Sequence, residues 1–143
     1  MKLSSDDFKH NEMLEKKFSY RANNISPHLK WEDIPSNTKS FAISCNDPDA
    51  PVGDWIHWLV FDIPFNINEL PQGGPISGIE IKNDYGQEGY GGPAPPSGTH
   101  RYFFKVYALD VEKLEGVTKR NFMQKVKEHK IESAEIIGLY KSK

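Results

Sequence analysis

Apolar and polar residues alternate along several short runs of the chain, and each run is bounded by turn-forming residues. The longest such runs cover residues 40–46, 55–63, 101–109 and 132–140, and shorter ones cover 17–21, 29–31 and 79–82. Their length, their alternation and the turn residues around them are typical of β-strands. In the run 55–63 both faces are mostly apolar, which predicts a strand that lies between two layers.

The alternation also predicts which side chains share a face. In the run 55–63 it places Trp55, His57 and Leu59 on one face and Trp58 on the other. In the run 101–109, the strand face that carries Tyr102 also carries the apolar residues Phe104, Val106 and Ala108. We therefore expect Trp55, and not Trp58, to lie on the side of His57.

A helical period is convincing only near residues 118–130, where Thr118 is a candidate N-cap. Phe122 and Val126 form an apolar stripe, to which Met123 and Ile131 are possible additions. Several short strands, long Gly/Pro-rich connections and one late helix predict a mainly β protein. The expected architecture is a β-sandwich with one main helix near the C-terminus, and the sequence does not show the strand order.

Length and composition restrict the class of protein. The 143 residues fit a single domain over residues 1–143. A net charge of −2, from 18 basic and 20 acidic residues, gives no reason to expect a nucleic-acid partner. The N-terminus has no apolar segment of the kind found in signal peptides, and no run reaches the roughly 18 apolar residues of a membrane span. We therefore expect a cytoplasmic protein with no transmembrane segment.

Two proline-rich loops stand out as candidate functional segments. One lies within residues 47–54 and the other within 86–98, and each leads into an apolar strand that carries a histidine, His57 or His100. A long loop of Gly and Pro inside a compact domain is usually functional. We expect the two loops to meet at one end of the sheet and form a small polar pocket.

The chemistry of these residues has more than one interpretation. Asp47 and Asp49 could cap turns through their own backbone, or hold a histidine or a ligand ammonium. His57 and His100 could be satisfied core residues or ligand contacts, and Arg101 should point away from His100 towards an acid. The sequence has no phosphate-binding P-loop, Gly-x-Ser-x-Gly elbow or Cys-x-x-Cys pattern, so no catalytic residue, metal or cofactor is assigned. The alternative is a weak hydrolase or metal-dependent enzyme that uses His57, His100 and Asp47.

Three motifs together resemble a known family. These are Asp47-Pro-Asp-Ala-Pro51, Trp55-x-His57-Trp58, and Gly92-Pro-x-Pro-Pro96 followed by Gly98-Thr-His-Arg-Tyr102. They resemble the phosphatidylethanolamine-binding protein family, and within it the bacterial and archaeal branch of Raf kinase inhibitor-like proteins. Further matches, such as Asn24-Ile-Ser-Pro27 and the closing segment 134–140, extend the resemblance over roughly residues 18–140.

The resemblance implies a two-sheet antiparallel β-sandwich with a shallow anion pocket at one end. It also implies that Ala50–Pro51 is a cis bond and that the protein is a homodimer. The ligand would be a small anionic or phosphorylated molecule, such as a phospholipid headgroup, bound without catalysis. A further alternative is a protein inhibitor of a kinase or protease with an unknown protein partner. Carried over by position, the pocket consists of Asp47, Asp49, Pro51, Trp55, His57, Pro95, His100 and Tyr102.

Such a pocket suggests a simple electrostatic scheme. A protonated histidine and backbone N–H groups favour an anion. Asp47 and Asp49 would orient the two histidines and raise their pKa, because a neighbouring negative charge favours the imidazolium form.

Overall fold

The computed structural model describes residues 1–142, which form two β-sheets and one α-helix. The helix, α1, covers Phe122–His129. The strands are β1 (Lys2–Ser4), β2 (Glu12–Met13), β3 (Leu29–Glu32), β4 (Ser40–Asp47), β5 (Trp55–Pro64), β6 (Glu69–Leu70), β7 (Ile79–Glu80), β8 (Thr99–Leu109) and β9 (Lys130–Lys141).

The two sheets are mainly antiparallel. The larger sheet has the strand order β2-β9-β8-β4-β5-β7, and the smaller has the order β1-β3-β6. Every pair is antiparallel except the edge pair β2 and β9, in which Glu12 lies opposite Gly138. The predicted antiparallel β-sandwich with one main helix near the C-terminus is therefore confirmed. The predicted edge strand at 79–82 is β7, which is shorter than expected.

The main core lies between the two sheets. Trp31 of β3 is fully buried and meets Phe41 of β4 edge-on, with 5.4 Å between ring centroids. Burial of large apolar side chains of this kind is the dominant stabilising contribution to folding. Other members of this cluster are Leu3, Leu29, Ile43, Trp58, Val60, Ile63, Leu70, Phe104 and Val106.

A second core lies on the opposite face of the larger sheet, where α1 packs. Phe122 and Val126 are buried there against a cluster that includes Leu59 and Tyr107. Both residues belong to the predicted stripe, whereas Met123, a possible addition to it, is 40% exposed and lies outside the buried cluster. Ile131, which lies in β9, is exposed as well. No helix in residues 1–142 combines the length and the apolar character needed to cross a membrane.

The helix begins later than residue 118 because the preceding residues form a separate turn. The backbone N–H of Thr118 donates to Asn121 Oδ1 at 2.7 Å, and the N–H of Asn121 donates to Thr118 Oγ1 at 3.3 Å. Thr118 therefore stabilises a turn before the helix, and Asn121 occupies the N-cap position.

The strand predicted at 17–21 is wrong, because this segment contains a 3-10 turn at Lys16–Phe18. Ser19 holds the turn closed, since its N–H and its hydroxyl both donate to the carbonyl of Lys16, at 2.9 and 2.6 Å. Of the two apolar positions in this segment, Phe18 is buried in the main core and Tyr20 is only half-buried. Local bonds of this kind compete with strand pairing.

Two irregularities in β5 change the faces predicted from simple alternation. Trp58 pairs with Cys45 while Ile56 pairs with Asn46, so His57 is an extra residue in the pairing with β4. Such a bulge places two successive side chains on the same side of a strand. As a result Trp58 lies in the main core, on the side of His57, and Leu59 lies on the helix side. The second irregularity lies near Asp62, which has a φ of 55°.

Candidate functional site

Strand pairing brings the two predicted loops to the same end of the larger sheet. β4 is paired with β5 on one side and with β8 on the other, and both pairs are antiparallel. The end of β4 therefore lies beside the beginnings of its two neighbours, and Asp47 is directly opposite Trp55. The connections before β5 and β8 meet there. We refer to residues 48–54 as the first pocket loop and to residues 91–98 as the second pocket loop.

A cavity of about 320 Å³ lies at this end of the sheet, and we refer to it as the histidine pocket. Six of the eight residues predicted for the site line it, and the other two, Asp49 and Pro95, do not. The complete lining is Tyr20, Arg21, Asp47, Ala50, Pro51, Val52, Trp55, His57, Tyr85, Ala94, Pro96, His100 and Tyr102.

Asp47 and His100 form a buried pair at the base of the pocket. His100 Nδ1 and Asp47 Oδ2 are 2.7 Å apart, and the two residues are 7% and 3% exposed. The other carboxylate oxygen of Asp47 accepts the backbone N–H of Asp49 at 2.7 Å. Asp47 therefore fixes the His100 ring and the start of the first pocket loop at once. With Nδ1 bound, Nε2 is the remaining polar atom of the His100 ring.

Asp49 has a different role from the one predicted. Its carboxylate binds Arg101 through the backbone N–H, Nε and Nη2, each at 2.9 Å. The side-chain hydrogen bonds from Arg101 lower the pKa of Asp49 to about 2. The prediction that Asp49 orients a histidine is therefore wrong. Arg101 does point away from His100 towards an acid, since adjacent strand residues face opposite sides.

The first pocket loop turns without a cis proline. Of the peptide bonds in residues 1–142, Gly74–Pro75 is cis and Ala50–Pro51 is not, so the predicted cis bond is wrong. The N–H of Gly53 donates to the carbonyl of Ala50 at 3.0 Å, which closes a turn with Pro51 at its second position. A trans proline suits that position, and Gly53 supplies the positive φ of 101° that completes the turn.

His57 is held by backbone rather than by a carboxylate. Its Nδ1 donates to the carbonyl of Gly91 at 2.6 Å, and its ring is 2% exposed. Burial lowers the pKa of His57, and this effect outweighs the opposing influence of the Gly91 carbonyl and of Asp47. The expectation that neighbouring carboxylates raise its pKa is therefore wrong for His57. The neutral ring leaves Nε2 as a lone-pair acceptor.

The second pocket loop is positioned by the close approach of two glycines to neighbouring segments. A Cβ atom on Gly92 would lie 2.0 Å from the carbonyl oxygen of Phe18, and one on Gly91 would lie 2.4 Å from the Tyr85 ring. The N–H of Gly91 donates to the carbonyl of His57 at 2.9 Å. The N–H of Gly92 donates to Asn24 Oδ1 at 2.7 Å. These contacts fix the carbonyl that in turn holds the His57 ring.

Aromatic side chains that the sequence analysis did not assign form one wall of the histidine pocket. Tyr20 and Tyr85 stack with 3.9 Å between ring centroids, and Trp55 meets Tyr85 edge-on at 5.6 Å. The Tyr85 hydroxyl donates to the carbonyl of Gly92 at 2.8 Å. Tyr85 lies in a predicted turn and Tyr20 in the segment that was misassigned as a strand, so no local pattern indicated either. Arg21, at the rim, was missed for the same reason.

Among the fully buried side-chain atoms of the pocket, the Tyr102 hydroxyl lacks a hydrogen bond of normal geometry within residues 1–142. The residue is 1% exposed, and the Asp47 carboxylate is near enough to influence the hydroxyl. Its ring meets His57 edge-on, with 5.1 Å between centroids. Burial, and then the charge of Asp47, raise the pKa of Tyr102, so it keeps its proton and remains a donor. A buried donor without an acceptor is costly, and such groups usually signal an additional partner.

Pro95 faces a neighbouring cavity. That cavity has a volume of about 410 Å³ and lies beyond Ala94 and Pro96, which line both cavities. Its lining includes Lys16, Arg21 and Lys141. We refer to it as the basic groove.

The part of the chain that the structure describes has one cluster with the spacing of metal ligands, and it lies outside both cavities. It consists of Asp6, His28 and Glu69. His28 Nδ1 accepts the N–H of Asp6 at 2.9 Å, and Nε2 lies 2.5 Å from Glu69 Oε2. Both ring nitrogens are thus engaged within the protein. Asp47, His57 and His100 do not form such a cluster.

Comparison with known proteins gives consistent matches over nearly the whole chain. The sequence model of the family described as phosphatidylethanolamine-binding protein matches residues 4–141. A UPF0098 protein of Aquifex aeolicus is 45% identical, with 99% of this chain and 88% of that protein covered. The UPF0098 protein YbhB of Escherichia coli is 40% identical, with 98% and 99% covered.

Solved structures agree with the sequence matches. The crystal structure of a phosphatidylethanolamine-binding protein homologue of Chlamydia trachomatis superposes with a TM-score of 0.91 at 36% identity, covering 99% of this chain and 97% of that one. The crystal structure of YbcL from Escherichia coli, described as a member of the mammalian family, gives a TM-score of 0.92 at 34% identity. It covers 99% of this chain and 98% of YbcL.

Proposed function

Since the chain belongs to the phosphatidylethanolamine-binding protein family, we propose that it is a non-enzymatic binding module for a small anion. The ligand would be a phosphate group, either free or part of a phospholipid headgroup or another phosphorylated molecule. The histidine pocket would be its site. A regulatory or inhibitory role and a homodimeric state are part of the same proposal and rest on the family resemblance. A cytoplasmic location is proposed with them.

The single observation that carries this proposal is the unpartnered Tyr102 hydroxyl. It is buried in the pocket next to His57, and the proton that it retains requires an acceptor. A phosphate oxygen is a strong acceptor and would relieve the cost of leaving this donor unsatisfied. Hydrogen bonds to a charged oxygen are also shorter and stronger than those between neutral groups.

The two histidines would complete the site with complementary roles. Because Asp47 engages Nδ1 of His100, Nε2 is the ring atom of His100 that would contact the anion. His57 is neutral, so its Nε2 can accept a hydrogen bond from a protonated phosphate oxygen. A monoprotonated phosphate presents both kinds of oxygen. Arg21 at the rim adds a positive charge that is accessible to solvent.

The composition of the pocket supports binding rather than catalysis. Within residues 1–142, its lining contains no serine, threonine, cysteine or lysine. Its tyrosines at positions 85 and 102 have raised pKa values because they are buried, so neither is an activated nucleophile. Cys45 is also buried, and burial raises the pKa of its thiol. These observations favour the binding module over the hydrolase alternative.

Titration calorimetry with inorganic phosphate and with phosphorylethanolamine would test the proposal. Tyr102→Phe removes only the hydroxyl, and we expect it to weaken phosphate binding by about 10- to 150-fold, as for loss of one charge-assisted hydrogen bond. His57→Leu should have a comparable effect while retaining apolar volume.

The matched control is Tyr107→Phe. Tyr107 is also buried, but its hydroxyl already bonds Ser44 at 2.9 Å on the helix side of the sheet. We expect its phosphate affinity to equal that of the wild type. If Tyr102→Phe and His57→Leu stay folded and bind phosphate like the wild type, the histidine pocket is not the site.

A further inference from the structure

The basic groove has the features of a binding surface in its own right. It is an open depression formed by the 3-10 turn, the second pocket loop and the end of β9. Three cationic side chains line it, from Lys16, Arg21 and Lys141, and all three are exposed. No acidic residue of the described chain lines it.

The charge of the groove is not neutralised by neighbouring acids within residues 1–142. The adjacent Lys17, by contrast, is paired, since it lies 3.8 Å from Glu15. Neither Lys16, Arg21 nor Lys141 takes part in an ion pair of this part of the chain. Clustered cations repel one another, and an anion bound between them would remove that repulsion.

The groove and the histidine pocket are neighbours with a common wall. Arg21, Ala94 and Pro96 line both cavities. Strand pairing places Tyr140, which lines the groove, opposite His100, which lines the pocket. The same strands and the same loop therefore position both cavities, and their separation is fixed by the fold.

We propose that the basic groove is a second anion subsite, which binds another negatively charged group on the ligand whose phosphate occupies the histidine pocket. The inference rests on the proposed function of the pocket. It narrows the ligand class to phosphorylated molecules with two anionic groups separated by a spacer that passes over Ala94 and Pro96. The two subsites would act on one ligand, so that binding at the first raises the effective concentration at the second.

The test compares methyl phosphate with bisphosphates of linear alkanediols that differ in spacer length. Affinities are measured by titration calorimetry at low ionic strength. We expect one spacer length to bind about three- to tenfold tighter than methyl phosphate, since exposed ion pairs are individually weak. That gain should exceed the roughly twofold statistical advantage of a ligand with two equivalent ends. It should also disappear at about 0.5 M salt, where exposed charges are screened.

A double variant, Lys16→Gln with Lys141→Gln, assigns the effect to the groove. We expect it to bind methyl phosphate like the wild type and to lose the gain of the best bisphosphate. Lys127→Gln with Lys130→Gln is the control, because it removes the same charge from exposed positions on and beside α1. It should retain the gain.

The outcomes separate the two proposals. If methyl phosphate binds but no spacer gives a gain, or if the Lys16/Lys141 variant retains the gain, the groove is not a subsite and the pocket assignment stands. If methyl phosphate does not bind at all, the proposed function fails and the inference fails with it.

Discussion

The two pocket loops are both rich in proline, yet they are held in place by different means. The first is fixed by side chains at its start: Asp47 accepts the N–H of Asp49, and Asp49 binds Arg101 of the next strand. The second is fixed by main chain, because Gly91 and Gly92 lie against other segments at distances that leave no room for a Cβ atom. The comparison shows that glycine and proline content predicts a rigid loop without revealing what makes it rigid.

The same difference extends to the two histidines of the site. His100 binds the carboxylate of Asp47, at the start of the first loop, whereas His57 binds the carbonyl of Gly91, in the second. For His57, burial lowers the pKa and the ring stays neutral beside the carbonyl. One pocket thus contains two histidines whose rings are oriented by different kinds of partner, a carboxylate and a main-chain carbonyl.

Glycine substitutions should show the largest contrast between the loops. In Gly92→Ala the new Cβ would lie 2.0 Å from the main-chain oxygen of Phe18, so the backbone must move. We expect a loss of more than about 4 kcal/mol in the free energy of unfolding. In Gly53→Ala the Cβ would meet nothing within 4 Å, and only its φ of 101° is strained. That variant should lose about 1–2 kcal/mol. Chemical denaturation measures both losses. Equal losses in the free energy of unfolding would contradict this contrast between the loops.

Asp47→Asn should have the next largest effect. It removes the buried charge that pairs with His100, while an amide of the same size can still accept the N–H of Asp49. We expect a loss of about 1.5–3 kcal/mol at neutral pH, the value of a hydrogen bond to a charged group. Asp110→Asn is the control, because Asp110 pairs with His129 at 2.9 Å on the surface. Its loss should be under about 1 kcal/mol. Equal losses would mean that burial does not strengthen the Asp47–His100 pair.

The lowered pKa of His57 predicts a pH dependence of stability with a definite sign. Below the ordinary histidine pKa of about 6.5, the unfolded chain binds a proton at this position that the native state resists. The free energy of unfolding should therefore fall as the pH decreases through that window. The variant His57→Gln should show a weaker fall over the same range in denaturant titrations at pH 5–8. An unchanged pH dependence would indicate that the pKa of His57 is the same in the native and unfolded states.

The long strands and the fold class were predictable because their apolar alternation is clear in the sequence. Simple alternation failed inside β5, where the bulge at His57 moves Trp58 to the same side. A bulge depends on pairing with β4 and has no mark in the strand itself. The strand wrongly predicted at 17–21 has a similar cause. Phe18 is a buried aromatic residue in a 3-10 turn, and in the sequence it resembles one face of a strand.

Of the residues predicted for the pocket, those in strands or at strand ends line the cavity, whereas of the three in loops only Pro51 does. His57, His100 and Tyr102 follow from strand position once the two loops are known to meet. Tyr20 and Tyr85 come together from sequence positions 65 residues apart, and no local rule connects them. The direction of a loop side chain depends on its tertiary partner, which explains why Asp49 and Pro95 were wrongly placed in the pocket.

The smallest expected effect belongs to Asp49, which tests whether this residue is structural. The carboxylate side chain is 29% exposed and that of its partner Arg101 is 51% exposed, so solvent weakens the pair. We expect Asp49→Asn to lose less than about 1 kcal/mol and to bind phosphate within about twofold of the wild type.

The lowered pKa of Asp49 predicts how the Asp49–Arg101 pair responds to acid. This pKa is about 2 in the native state against about 3.9 in the unfolded chain. Its contribution to stability is therefore complete above about pH 4 and is lost as the pH falls towards 2. A double-mutant cycle with Arg101→Gln, measured by denaturation at pH 3 and pH 6, should show coupling that is weaker at pH 3. A tenfold loss of phosphate affinity in Asp49→Asn would instead indicate that Asp49 takes part in the pocket. A residue that only anchors the loop to β8 leaves Tyr102 and the two histidines in place.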